Sequence, residues 1–420
     1  MKKQTLYWLV PRITPRISYL AKTLFSNWES IVVTPVISAP PENERVLNST
    51  ASPHPNQIQL PLISKVLLEE RKASCSPGAL PNLAEANLED LDWLEISFWL
   101  LTEYVNYVQP TFDQFDRYDF RAIWHTNFFQ KPYVDLFINR LSLKILDKWP
   151  ALSLSKPNFK TEITCDIDHL FAFRGKNYLQ IIKKILLSVY RKDLACLKAI
   201  GNYLIKRADP YEKPWKLLLK TNPEQLRFFV LLSNEHKRDS TYKPDFQPLI
   251  TKIQDLFKLG YSVGIHPSYL AMENPKLIED QYNFLKKIAA KEIVSSRQHY
   301  LRYRLPSTYQ KLISLGITEE YTSCLPQMIG YKYGTCRPFF WYDIQNELTT
   351  NLKIFPTVAM DRTLLEDMAL SPGQAATRLA QLKGDIQAVG GDFRVLIHPE
   401  ALSNTFEWKG WQQTFTQLFD

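Results

Sequence analysis

From about residue 160 to its C-terminus the chain switches repeatedly between short apolar runs of strand character and longer segments of helical periodicity. This alternation narrows the folds open to it. Strand-like 162–165, helical 178–205, strand-like 227–232, helical 246–259, strand-like 261–265 and helical 275–290 come first. Strand-like 292–295, helical 306–315, strand-like 352–357, helical 372–389 and strand-like 393–397 complete the series. Such a series predicts a parallel α/β fold, and one unbroken series of this length fits a barrel. Reactive residues of a barrel collect at the C-terminal strand ends. Asp166, Asp168, His266, His299 and His398 all fall at or just after the ends of strand-like runs.

The first of these runs is Glu162-Ile163-Thr164-Cys165-Asp166-Ile167-Asp168-His169. Residues i and i+2 of a strand share a face, so Asp166 and Asp168 point the same way. Two carboxylates that close need a cation between them or a proton on one. Alone, the pair also reads as a solvated loop or as a helix N-cap at Asp168. Three of the seven histidines alter the balance, because His266, His299 and His398 end strand-like runs in the same way. Together they read as a metal site of oxygen and imidazole donors, suited to Zn, Co, Ni or Mn with a position left for water. Cys165 faces away from both carboxylates and is excluded as a ligand, and His54, His125 and His236 receive no role.

The earlier part of the chain is less regular. A helical pattern over 16–27 and the β-branched run 31–33 precede a stretch punctuated by Pro35, Pro40, Pro41, Pro53, Pro55 and Pro61. An all-round apolar helix begins near Leu91, another covers 134–149, and 150–157 reads as a linker. The expected division is therefore a mixed α/β accessory domain, 1–157, without visible chemistry, followed by the alternating domain, 158–420. A formal net charge of +8 would favour an anionic partner, but the basic residues read as scattered and solvated, so no nucleic-acid partner is expected. Five cysteines without a C-x-x-C pair fit a reducing compartment. The apolar stretch 6–10 ends at Pro11-Arg12, short of a secretory segment, and no run reaches membrane-spanning length. The expectation is a soluble cytoplasmic protein, with a membrane-peripheral position left open.

Ile163-Thr164-Cys165-Asp166-Ile167-Asp168-His169, Val263-Gly264-Ile265-His266-Pro267-Ser268-Tyr269, Ser296-Arg297-Gln298-His299-Tyr300-Leu301-Arg302 and Val395-Leu396-Ile397-His398 stand in this order. They resemble successive motifs of the NodB-type polysaccharide deacetylases, and more closely a bacterial subgroup in which that domain follows an uncharacterised α/β domain. Tyr331-Lys332-Tyr333-Gly334-Thr335-Cys336-Arg337-Pro338-Phe339 and Met360-Asp361-Arg362-Thr363-Leu364 add to the likeness. The resemblance implies a distorted (β/α) barrel and metal-dependent removal of an acetyl group from an N-acetylated sugar, here an intracellular precursor of a surface polysaccharide. Carried over by position, Asp166 is the base, Asp168 and His266 bind the metal, Arg297 orients the base and His398 is the general acid. Where the family has a second histidine four residues on, this chain has Leu270, so His299, or alternatively His169, supplies the third ligand. Tyr300, Lys332 and Arg337 become substrate-binding candidates, and the aromatic run 339–342, with Tyr331, reads as core or as a sugar-stacking face. The rival expectations are a degenerate barrel that binds glycan or protein without catalysis, because of Leu270, and a nucleic-acid-binding protein, on charge alone.

Overall fold

The computed structural model describes residues 3–26, 28, 30–68, 92–122, 126–190 and 192–419, a mixed α/β structure built on two sheets. Cys75, His125 and the helix start expected at Leu91 lie outside the described residues. The smaller sheet holds β1 (Gln4–Leu9), β2 (Ile31–Val36), β3 (Val46–Asn48) and β4 (Gln57–Gln59) in the order β2-β1-β3-β4, all parallel. In β1, Leu6 and Trp8 are fully buried on one face. The stretch weighed as a targeting segment is thus a central strand. Helix Pro15–Leu24 follows, capped by Thr14, whose hydroxyl accepts from the Ile17 amide, with Pro15 entering its first turn.

The larger sheet comprises β5 (Lys160–Ile167), β6 (Leu226–Val230), β7 (Ser262–Ile265), β8 (Ser295–Ser296), β9 (Glu319–Glu320), β10 (Phe339–Asp343), β11 (Leu348–Ile354), β12 (Ala359–Met360) and β13 (Asp392–Ile397). Its order is β10-β11-β9-β8-β7-β6-β5-β13-β12. Every pairing is parallel except the β10–β11 hairpin. The two ends of the parallel array belong to almost the same stretch of chain. Phe355 still donates to Glu320 O at 2.9 Å, Thr357 to Ser323 O at 2.7 Å, and Val358 already donates to Arg394 O at 2.9 Å on the far side. One extended run therefore touches both β9 and β13.

Most helices follow the expected pattern, and Pro372–Val389 coincides with it because Ser371 and Gln374 form a capping box. The single helix expected at 178–205 is instead two, Tyr178–Tyr190 and Leu194–Lys206, since Asp193 caps the second by accepting from the Cys196 amide. The run 339–342 is strand β10, in which Phe339, Trp341 and Tyr342 are buried and only Phe340 is exposed. It packs against the apolar helix Trp93–Thr102, so its buried residues are core and none of the run lines the cleft described below.

At the N-terminal ends of the strands Arg394 pairs with Glu162 at 2.6 Å and Asp392 at 2.8 Å, and Arg227 with Glu319 at 2.9 Å. These charges fasten the sheet at the end away from the chemistry. Between the two ends lies Glu320, fully buried, whose Oε1 accepts from the Thr322 amide at 2.8 Å while Oε2 has no hydrogen bond. Burial pushes its carboxyl up to about 7, against an ordinary 4.5. The native state then keeps a proton that the unfolded chain releases, so stability falls as pH rises from about 4.5 through about 7. Glu320→Gln should remove this slope, worth about 3 kcal/mol across the window. Urea midpoints of wild type and variant at the two ends of the window check it, and parallel pH profiles would contradict it.

Candidate metal centre and active site

Asp168, His266, Arg297, Asp361 and His398 are each the first residue after β5, β7, β8, β12 and β13. Parallel strands bring these positions to one rim, and there a cleft of about 500 Å³ is lined by Asp166, Asp168, His266, His299, His398 and Tyr300 among others. A hollow of about 590 Å³ elsewhere, between 58–61 and helix Tyr133–Lys148, has mainly apolar walls with Arg140 and Lys144 and, among the described residues, no carboxylate or histidine. The chemistry therefore belongs to the first.

Asp168, His266 and His299 each offer a donor atom, and these atoms lie within 4.8 Å of one another. His266 Nδ1 donates to the carbonyl of Arg297 at 2.6 Å, which turns Nε2 towards Asp168 Oδ1, 3.2 Å away. That contact lacks hydrogen-bond geometry, and Asp168 Oδ1 is a buried oxygen without a hydrogen-bond partner. With Nδ1 carrying the proton, two acceptors face each other, which a cation between them resolves. His299 is held likewise, with Nδ1 against Asp239 Oδ1 at 3.2 Å and Nε2 3.3 Å from Asp168 Oδ2. A histidine oriented through its outer nitrogen by a carboxylate or carbonyl is the usual support of a metal ligand. The residues present thus fit a divalent ion.

Electrostatics agree. Burial works against charge on Asp168, yet His299, His266 and His398 around it hold its carboxyl well below the usual range. Burial lowers the His299 imidazole, but Asp168 and Asp239 outweigh this and hold it up at about 9. His398 is lifted well above its ordinary value against its own burial, chiefly by Asp361. The proton on His299 and a cation beside it are alternative ways of meeting the Asp168 carboxylate, so metal binding releases that proton, while His398 keeps its own beside Asp361.

Asp166 sits on β5 with Oδ1 accepting from Arg297 Nη1 at 2.9 Å and Oδ2 3.6 Å from His266 Nε2. Arg297 is itself fully buried and fixed by Tyr321 O at 2.9 Å, Thr164 Oγ1 at 2.8 Å and Thr357 Oγ1 at 3.2 Å. Across the cleft, His398 Nδ1 meets Asp361 Oδ1 at 2.8 Å, leaving Nε2 facing inward, 3.5 Å from Asp168 Oδ2. Tyr300 and Leu301 follow His299 in left-handed conformations, φ 58° and 57°, a local strain that places the Tyr300 ring at the rim.

Comparison with known proteins gives three results. Residues 6–150 match the model of a family of unknown function, DUF7033. No curated protein matches the chain. Solved structures described as polysaccharide deacetylases are similar at low identity. One from Mycobacterium smegmatis has 12% identity and TM-score 0.39, covering 64% of this chain and 84% of its own. One from Pseudomonas aeruginosa PAO1 has 10% and 0.39, covering 64% and 85%. One from Bacillus cereus has 11% and 0.29, covering 63% and 88%. Likeness at this level carries no weight for activity, which is judged below on this chain's own geometry.

The structure brings together Asp166, Asp168, His266, His299, His398 and, behind Asp166, Arg297. His169 lines the cleft but lies outside the three-donor cluster; its Nδ1 is buried without a hydrogen bond, and burial lowers its pKa. Leu270 lies in the turn Tyr269–Ala271, 36% exposed, so the position four residues past His266 faces away from the donors. Two expected substrate contacts need correction. Lys332 is buried in contact with Glu103 and the Tyr303 hydroxyl, and Arg337 is buried against Asp135 and the carbonyls of Val389 and Gly390. Both cations hold the 93–148 region to the larger sheet and neither lines the cleft. Asp239, in a loop, and Asp361, in the helical turn after β12, orient the two outer histidines and were missed because each acts only through a histidine distant in sequence; only Asp361 had a signal, in Met360-Asp361-Arg362. Gln114, Phe115 and Arg117 line the cleft too, so 1–157 is not remote from the chemistry. Arg302 anchors that loop by donating to Phe115 O at 2.9 Å.

Proposed function

We propose that the protein is a metal-dependent hydrolase that removes an acetyl group from an N-acetylated sugar, a precursor of a surface polysaccharide. The observation that carries the proposal is the inward-turned trio Asp168, His266 and His299, set between an Asp166–Arg297 pair and a His398–Asp361 pair. The motif order supports the same family reading. The extended run that pairs with both β9 and β13 supports a distorted (β/α) barrel over 158–420, with 1–157 as an accessory domain that lends the cleft part of one wall. Mixed oxygen and nitrogen donors favour zinc, with cobalt, nickel or manganese as substitutes. The four described cysteines are buried and free of disulfides, which supports a cytoplasmic setting.

Asp168, His266 and His299 would hold the ion, which when bound acidifies a water and polarises the acetyl carbonyl. Asp166, its Oδ1 occupied by Arg297, presents Oδ2 to take the proton of that water. His398, kept protonated beside Asp361, gives a proton to the departing amine from the opposite side. Asp361 keeps the donating nitrogen turned inward through its bond to Nδ1. Tyr300 at the rim offers a ring face and a hydroxyl to the sugar.

His299→Ala tests the site against the non-catalytic alternative. The expected result is loss of bound metal together with loss of acetate release from N-acetylated sugars. Full metal occupancy in the variant would move the third ligand to His169. Wild type that binds glycan yet releases no acetate when metal-loaded would favour the degenerate barrel.

A further inference from the structure

Ten of the 21 large apolar residues that the described chain exposes lie in one helical hairpin, Tyr178–Tyr190 with Leu194–Lys206. Its inner face is accounted for: Ile181, Cys196 and Ile200 pack with Ala172, Phe173 and Tyr211 in a small core separate from the main one. The outer face is not. Tyr178, Ile182, Leu186 and Tyr190 recur every fourth residue along the first helix, with Leu179 and Val189 beside them, and all are exposed. Leu194, Leu204 and Ile205 continue the patch on the second helix. A concentration like this on an otherwise ordinary surface marks a binding face.

Charge identifies the partner. Residues 178–207 contain seven basic side chains against Asp193 alone, a net +6 out of the chain's +8. The basic surplus read above as scattered is in fact concentrated in this segment of the sequence. Lys183, Lys192, Lys198, Lys206 and Arg207 are exposed, while Asp193 is occupied in capping the second helix.

We infer that the hairpin docks the protein on the surface of an anionic lipid bilayer. The apolar side chains enter the boundary between headgroups and acyl chains, and the lysine and arginine stems reach back to the lipid phosphates. Tyr178 and Tyr190, at the two ends of the first helix, occupy the interfacial level such rings prefer. Docking is superficial, since no helix among the described residues is long and apolar enough to cross a membrane. A second copy of the chain fits less well, because it would press two surfaces of like charge together. A nucleic acid would answer the charge but leave the apolar stripe in water. The hairpin leaves the C-terminal end of β5, the end that carries the cleft, and Lys176 at its root interacts electrostatically with Glu400 of the cleft wall. Docking therefore holds the cleft close to the bilayer. None of this depends on the reaction proposed above.

Flotation of the full chain with vesicles of phosphatidylcholine alone, and of phosphatidylcholine with phosphatidylglycerol, tests the inference. Binding is expected to the anionic vesicles only, and to weaken with salt. Ile182→Asp with Leu186→Asp, and separately Lys183→Glu with Lys198→Glu, should each weaken it at least about tenfold. All four side chains are exposed, so melting temperature and circular dichroism should stay unchanged in both variants. No binding by wild type, or binding at the wild-type level by either variant, overturns the inference. So does a dimer that Leu186→Asp dissociates in the absence of any vesicle binding, which would give the face to a second copy, or capture of duplex DNA as strong as that of vesicles.

Discussion

Asp166→Asn should lower turnover on an N-acetylated sugar by a factor of about 10² to 10⁴, the usual contribution of a general base, while metal content stays at the wild-type level. The separation of the two readouts follows from geometry. Asp166 is absent from the donor cluster of Asp168, His266 and His299, and one of its oxygens is engaged by Arg297 at 2.9 Å. An asparagine of the same shape keeps the packing but cannot take a proton from water. Asp168→Asn should instead lose metal and activity together, since Asp168 is the carboxylate the two imidazoles face. Metal loss in the Asp166 variant equal to that in the Asp168 variant would merge the two roles. Unchanged turnover in the Asp166 variant would remove the base assignment altogether.

Arg297→Met, just behind the cleft, should destabilise the fold by about 3 to 5 kcal/mol, because it leaves the Asp166 carboxylate buried without its counter-charge. Asp166 is 2% exposed and Arg297 is fully buried, so water cannot take the guanidinium's place. The variant also strips a donor from Thr164, Thr357 and the Tyr321 carbonyl. Arg297→Lys should recover only part of this, as an ammonium cannot reproduce the fork that reaches four oxygens at once. The decisive comparison is the double variant Asp166→Asn, Arg297→Met. With no uncompensated charge left it should be more stable than Arg297→Met alone, so that the two single costs do not add. Additive costs in urea unfolding would mean that Arg297 acts through packing alone.

Much of the fold was legible because its elements announce themselves locally. Helix Pro372–Val389 carries a capping box and a proline entry, and β5, β7 and β13 are apolar runs that end in chemistry-bearing residues. The parallel arrangement followed from their alternation with helices. What escaped has equally local reasons. Strands β9 and β12 are two residues each, too short for any periodicity, so the seam where one extended run meets both β9 and β13 leaves no trace in hydrophobic pattern. Asp193 broke a helix whose apolar positions run on across the break. In the site, the strand-end residues could be read singly, whereas Asp239 and Asp361 act only through histidines 60 and 37 positions away in sequence. Lys332 and Arg337 looked like ligand-binding cations since nothing local reveals that Glu103 and Asp135 come to meet them.

The central claim is that Asp168, His266 and His299 together hold one metal ion. Elemental analysis of the full chain purified without chelator, beside Asp168→Asn prepared identically, tests it most directly. A single divalent ion per chain in the wild type, with zinc predominant, and none in the variant is the predicted result. An absence of metal from the wild type even after reconstitution with zinc, cobalt, nickel or manganese would contradict it, as would a full complement of metal in Asp168→Asn.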